Sequence, residues 1–178
     1  MPDPTAVLNG RYCISGLIGR RLTSYMVTEC FRVLKPGGKC GVTTWVTAGW
    51  TPDVREALAT ITGAPPFPED EMFMGSVGDG KPWYRAEYVQ QKLEDHGFKD
   101  VKVNVAPDSS TIDNAAAFVD QFSGMVRWFI SKFWSEDDRA KYGEEVKPAL
   151  MKYMSEKFPD GQPIGLSMAA IIASARKS

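Results

Sequence analysis

The stretch from residue 26 to residue 45 constrains the fold of this chain more than any other part. In its first half, Met26, Cys30 and Leu34 recur at helical spacing, which predicts a helix with one buried stripe. Pro36 cannot continue that helix, and the two glycines after it supply a tight turn. The last seven residues alternate in polarity, as strand residues do. The stretch therefore predicts a helix, a turn and a buried strand, which is half of an α/β crossover.

The sequence motif ECFRVLKPGG over residues 29–38, followed by a strand that ends at Trp45, resembles a motif of the class I S-adenosylmethionine-dependent methyltransferases. In that family this segment is the fourth helix and fifth strand of a seven-strand doubly wound sheet. Residues 93–101 are similar to its next helix, turn and sixth strand, and residues 164–176 to its closing strand. The resemblance implies an α/β fold, a truncated Rossmann-like sheet of three to four strands with flanking helices.

The resembled family binds its cofactor with a glycine-rich loop after the first strand and an acidic residue after the second. Nothing similar to either precedes Met26. The resemblance therefore implies the C-terminal half of a methyltransferase-like protein without its cofactor-binding half, and we expect no cofactor.

Length and composition predict one soluble domain over residues 1–178, with 43% hydrophobic and 24% charged residues. The net charge of −1 supplies no basic field for nucleic acid or an anionic membrane. With no signal-peptide pattern, we expect a cytoplasmic protein. Three scattered cysteines and a single histidine, His96, argue against a disulfide framework and a metal site. Because His96 stands before Gly97, we expect it to bond the carbonyls at a helix end.

Residues 11–18 are the candidate for one more strand, a counterpart of the family's fourth. Without it, the strand at 39–45 becomes a bare edge that invites pairing. In either case the missing strands leave apolar surface to cover, and we expect a homodimer.

Periodicity predicts the remaining elements. Thr51 is expected to cap a helix that Gly63 ends. A loose start at 1–10 precedes helices at 85–96, 111–134 and 135–158 and strands at 100–105 and 164–175.

Residues 64–83 combine four prolines and three glycines with large apolar side chains. We expect a long loop here, either packed on the core or serving as a lid over a binding site. In the resembled family this region lies over the substrate pocket.

Aromatic and sulfur-containing residues are the remaining candidates for function. For the stripe over 118–134, core packing is the more usual explanation. Trp45 follows the key strand, where open α/β sheets place their ligands. The resemblance implies an apolar pocket, and its wall residues would be Trp45, Trp83, Tyr84, Phe122, Met125 and Trp128.

Three functions fit this sequence. In the first, an aromatic pocket binds a hydrophobic small molecule and promotes a non-methylating cyclisation or isomerisation in a biosynthetic pathway. In the second, the chain is a non-catalytic subunit that partners a full-length methyltransferase. In the third, it is a fragment of an S-adenosylmethionine-dependent methyltransferase. The sequence names neither the substrate nor the reaction.

Overall fold

The computed structural model describes residues 11–15 and 24–178, apart from residue 79 and the side chains of residues 11–15 and 160. The loose start expected over residues 1–10 and the end of the first predicted strand, residues 16–18, lie outside the described residues.

Groups of helices separate the strands along the described part of the chain. Its strands are β1 (Arg11–Ser15), β2 (Lys39–Thr47), β3 (Phe98–Ile112) and β4 (Ile164–Lys177). Its α-helices are α1 (Ser24–Val33), α2 (Thr51–Ala59), α3 (Asp70–Val77), α4 (Ala86–Asp95), α5 (Ala115–Phe133), α6 (Glu136–Tyr142) and α7 (Val146–Lys157), and 3-10 turns cover Gly143–Glu145 and Pro159–Gly161. No helix among the described residues is long and apolar enough to cross a membrane.

The four strands form one sheet in the order β1-β2-β4-β3. β1 pairs parallel to β2, from Arg11 opposite Lys39 to Ser15 opposite Thr43. β4 pairs antiparallel to β2 and lies between β2 and β3. The predicted α/β class and the strand count of three to four are confirmed, and so is the strand that begins at Arg11.

The predicted unit of helix, turn and strand is confirmed as α1, the Pro36–Gly38 turn and β2. Gly37 has a φ of +79°, a conformation that favours glycine. Its N–H donates to the Lys177 carbonyl at 2.8 Å, and the Lys177 N–H donates to Gly38 at 2.8 Å. The turn is therefore joined to the end of β4.

By its packing the chain divides into two compact units. The first holds the described residues up to Ala48, Glu71–Asp108 and Met168–Ser178, and the second holds Gly49–Asp70 and Ser109–Ser167. The single domain over residues 1–178 stays a prediction.

In the first unit, α1 and α4 cover one face of the sheet. The apolar core there consists of Val27, Cys30, Leu34, Cys40, Val42, Trp83, Val89, Leu93, Phe98, Ile171, Ala173 and Ala175, none more than 4% exposed. The residues from β2 and β4 alternate along their strands, so this face of the sheet is buried.

In the second unit, α5 supplies the apolar stripe predicted for it, with Phe118, Phe122 and Phe129 buried. Asn114 caps α5 by accepting from the Ala117 N–H at 3.0 Å. The predicted capping signal at Ser135 is confirmed, because its hydroxyl accepts from the Asp138 N–H at 3.0 Å.

Four local predictions are wrong. The strand expected at 100–105 runs from Phe98 to Ile112, so the next helix begins at Ala115 rather than at 111. The single helix expected over 135–158 is interrupted by the 3-10 turn at Gly143. Thr51 does not cap α2, because it is itself the first helical residue. Its hydroxyl instead donates to Asp70 Oδ1 at 3.1 Å.

The segment predicted as a loop over residues 64–83 contains the helix α3. Four of its large residues are buried, namely Phe67, Phe73, Met74 and Trp83. Gly78 follows α3 and packs closely, since a Cβ there would lie 2.6 Å from the Lys81 carbonyl oxygen and 2.8 Å from Trp83 Cδ1. The segment is packed, and its role as a lid stays a prediction.

The packing around Trp83 predicts that two glycine substitutions in this segment differ in their effect on stability. Gly78→Ala forces the added methyl against backbone, so we expect the free energy of unfolding to fall by about 1–3 kcal/mol. Gly75→Ala is the matched control, because a Cβ inside α3 meets nothing within 4 Å. There alanine should be neutral or stabilise by up to about 1 kcal/mol. Urea unfolding of both variants checks this, and equal effects would contradict the packing described here.

Candidate functional site

Trp45 lies near the carboxyl end of β2, opposite Ala170 of β4, and is half-buried. Because β1 and β2 run parallel, their carboxyl ends meet at the same edge of the sheet. Open α/β sheets bind ligands outside this edge. Trp45 therefore lies where the sequence analysis places a pocket wall.

Trp83 and Tyr84 join α3 to α4 and differ in exposure. Trp83 is 2% exposed and meets the Tyr88 ring edge to face at 5.1 Å, so it is a core residue of its unit. Its indole Nε1 is buried without a hydrogen-bond partner. Tyr84 is half-buried, with the Arg85 guanidinium 5.5 Å from its ring centroid.

The three candidates on α5 present different environments. Phe122 is 4% exposed and stacks on Trp50 with centroids 4.9 Å apart. Met125 is half-buried. Trp128 is 39% exposed, and the Lys132 ammonium lies 4.3 Å from its ring centroid. The burial of Phe122 favours core packing as the explanation for the aromatic stripe. The side chain of Trp128 is accessible to a ligand.

The six predicted wall residues fall into two groups of three. Trp45, Trp83 and Tyr84 belong to the first unit, and Phe122, Met125 and Trp128 belong to the second. Whether all six line one pocket stays a prediction.

The second unit has two open clefts that the sequence did not indicate. One, of about 580 Å³, is lined by the residues after α2 and by α7, including Thr60, Glu144, Lys152 and Tyr153. The other, of about 460 Å³, is lined by residues of α5, α6 and α7, including Arg127 and Lys147. None of the six predicted wall residues lines either cleft.

A polar network between α2 and α7 was also missed. Lys157 Nζ lies 2.8 Å from Asp53 Oδ1, 2.9 Å from Tyr153 Oη and 3.2 Å from Glu56 Oε2. Tyr153 donates to Glu56 in turn. The hydrogen bond to Asp53 is the main reason why the pKa of Lys157 is raised, and the bond from Tyr153 lowers the pKa of Glu56. The only sign of this network in the local sequence is the spacing of Tyr153 and Lys157, which makes them neighbours on one helix face.

The remaining reactive side chains have structural surroundings. His96 Nδ1 lies 2.6 Å from the Lys92 carbonyl oxygen, which confirms its predicted place at a helix end. Cys30 and Cys40 are buried in the first unit. Hydrogen bonding with Cys40, together with burial, raises the pKa of the Cys30 thiol. The described residues contain no group of three or more metal-binding side chains.

Sequence comparison identifies fungal methyltransferases as relatives. The chain is 29% identical over 149 residues to the acetylaranotin bis-thiomethyltransferase of Aspergillus terreus, covering 84% of this chain and 53% of that protein. It is 31% identical over 150 residues to the methyltransferase ktnA of Aspergillus niger, covering 84% and 48%. The chain thus spans about half the length of the curated relatives it matches. No family model matches it.

Comparison with solved structures finds a weaker similarity. The cyclase SpnF is 16% identical, with a TM-score of 0.37, over 99% of this chain and 53% of that one. A likeness of this strength carries no argument about fold or function.

Together, the sequence matches and the sheet with its flanking helices define the class of this protein. It is a methyltransferase-like α/β protein whose relatives are fungal methyltransferases. The predicted resemblance to methyltransferases is confirmed.

The Lys157 network generates a stability prediction. Lys157→Met leaves the Asp53 carboxylate, with only 12% of its side chain exposed, without its cation. We expect the free energy of unfolding to fall by about 1 kcal/mol, a figure discounted because Lys157 itself is 40% exposed. Since the pKa of Lys157 is raised, the loss is present at neutral pH and disappears only as the pH rises through that pKa.

Lys152→Met is the matched control on the same helix. Its ion pair with Glu156 spans 4.0 Å, and both side chains are mostly exposed. Such a pair contributes little, so the control should unfold like the wild type in denaturant. Equal destabilisation by both variants would show that the network does not stabilise the α2–α7 packing.

Proposed function

We propose that this protein binds a hydrophobic small molecule of a biosynthetic pathway and promotes its cyclisation or isomerisation without methyl transfer. The observation that carries the proposal is the half-buried Trp45 at the carboxyl end of β2. That edge is where α/β sheets bind ligands, and an indole supplies a large apolar contact there.

Four of the six predicted wall residues keep part of their side chains accessible. In the first unit these are Trp45 and Tyr84, and in the second they are Met125 and Trp128. Trp83 and Phe122 are buried within their own units and would act only as support. Within the first unit, the accessible rings of Trp45 and Tyr84 suit a flat apolar ligand.

A reaction of this kind asks little of charged groups. Holding a flexible substrate in its reactive conformer replaces a large part of the entropic barrier. Apolar walls restrict the substrate to that conformer, and in the first unit the Arg85 guanidinium, 5.5 Å from the Tyr84 ring centroid, is available to a polar substituent. The proposed catalysis therefore depends on the shape of the binding site more than on acid–base groups.

Methyl transfer is the second candidate, because the relatives with sequence similarity are named methyltransferases. In that case this chain would hold the substrate, and S-adenosylmethionine would bind to a cofactor half outside the matched region. That half could belong to a separate methyltransferase chain for which this one is the non-catalytic subunit.

Calorimetric titration of S-adenosylmethionine into the purified protein tests whether this chain itself binds the cofactor. We expect no heat of binding, because nothing similar to the family's cofactor loop precedes Met26. Binding at micromolar concentration would contradict the non-methylating function and favour methyl transfer.

A second experiment tests the aromatic surface at Trp45. The probe is 1-anilinonaphthalene-8-sulfonate, an aromatic dye that fluoresces on apolar surfaces. Trp45→Ala removes the proposed wall, so we expect affinity for the dye to fall about three- to tenfold. Tyr25→Ala, at a side chain 71% exposed on α1, is the control and should leave affinity unchanged. Unchanged affinity in Trp45→Ala would contradict the proposed site.

A further inference from the structure

The register of β2 against β4 assigns each residue to one face of the sheet. Directly opposed residues share a face, so Cys40 with Ala175 and Val42 with Ala173 belong to the buried face. The alternate pairs belong to the opposite face. That face, here the Ile172 face, consists of Gly41 with Ser174, Thr43 with Ile172, and Trp45 with Ala170.

The Ile172 face is uncharged, and its centre is apolar and accessible. Ile172 is 49% exposed, although isoleucine is among the residues most often buried. Thr43, Trp45 and Ala170 around it are half-buried. An exposed apolar patch on a sheet marks an interaction surface.

The height of this face rises along β2. Gly41 and Ser174 form a shallow end, Thr43 and Ile172 form the middle, and the Trp45 indole is the tall end. Beyond the shallow end, Lys39 and Arg176 are opposed on the two strands, and Arg176 forms an ion pair with Asp100 at 2.7 Å. The face therefore has a notch at one end, the Trp45 side chain at the other, and the cation Lys39 next to the notch.

We propose that the Ile172 face binds a second copy of this chain. A two-fold axis through Ile172 reverses the strands of the second copy, so the Trp45 indole of each copy fills the notch at Gly41 and Ser174 of the other. The same rotation brings Lys39 of each copy next to the Trp45 indole of the other, whose face attracts cations, and keeps the two lysines apart. Shape and charge are thus complementary to the face itself, as an isologous dimer requires.

This dimer bears on the ligand site as well. Trp45 is at once a residue of the interface and a wall residue of the proposed function, so a ligand held against it would lie beside the second copy. The position of the ligand beside the second copy rests on the proposed function, whereas the dimer does not. Measuring mass without ligand therefore separates failure of the dimer from failure of the proposed function.

The test is the mass of the protein in solution, by light scattering after size exclusion. We expect the wild type to have twice the mass of one chain and Ile172→Glu to have the mass of one, because the dimer would bury the new carboxylates against each other. Val105→Glu is the matched control, since Val105 is 54% exposed and follows Val101 and Val103 in strand alternation, and these two pack on the opposite, buried face of the sheet. This control should remain dimeric.

A second variant guards against misfolding of Ile172→Glu. Ser174 is exposed, and Ser174→Glu fills the notch with a longer side chain whose carboxylate the indole face repels, so it too should be monomeric. A monomeric wild type would overturn the proposal, and so would a dimer that survives both variants. Stable assembly with a methyltransferase chain in place of the self-dimer would overturn it as well.

Discussion

Antiparallel pairing of β4 with β2 is the interaction on which the rest of the first unit depends. It aligns Ile171, Ala173 and Ala175 with the buried residues of β2, which gives α1 and α4 an apolar face to cover. Lys177 strengthens the same connection, because its ammonium also donates to the Phe31 carbonyl at 2.7 Å. A slip of one residue would turn every one of these side chains to the other face.

Local patterns in the sequence were sufficient to predict most of the elements. Pro36 and the glycines after it mark a helix end and a turn whatever lies around them. The alternation of Val101 and Val103 likewise identified β3, but not its length, because the residues up to Ile112 are mostly exposed polar ones. Thr51 was misassigned because its hydroxyl bonds with Asp70, nineteen residues later, and no local pattern contains that contact.

The candidate site was harder to predict than the fold. An aromatic stripe gives the same sequence pattern whether its rings pack on each other or wall a cavity. Phe122 stacks on Trp50, a residue more than seventy positions away, so its burial depends on a pairing that periodicity does not contain. The Lys157 network is equally non-local, since Asp53 lies on another helix. Trp45 could be placed because the end of a strand is a local feature.

The sheet order has a consequence for how the chain folds during synthesis. β4 is the latest of the four strands to leave the ribosome, yet it lies between β2 and β3. Until β4 is made, β2 and β3 lack the strand that pairs with both, and their apolar residues remain exposed to solvent. At about 5–20 residues per second, the roughly sixty residues between β3 and the end of β4 take several seconds to synthesise. During that interval the exposed apolar residues leave the nascent chain open to aggregation, because such non-local strand pairing forms slowly.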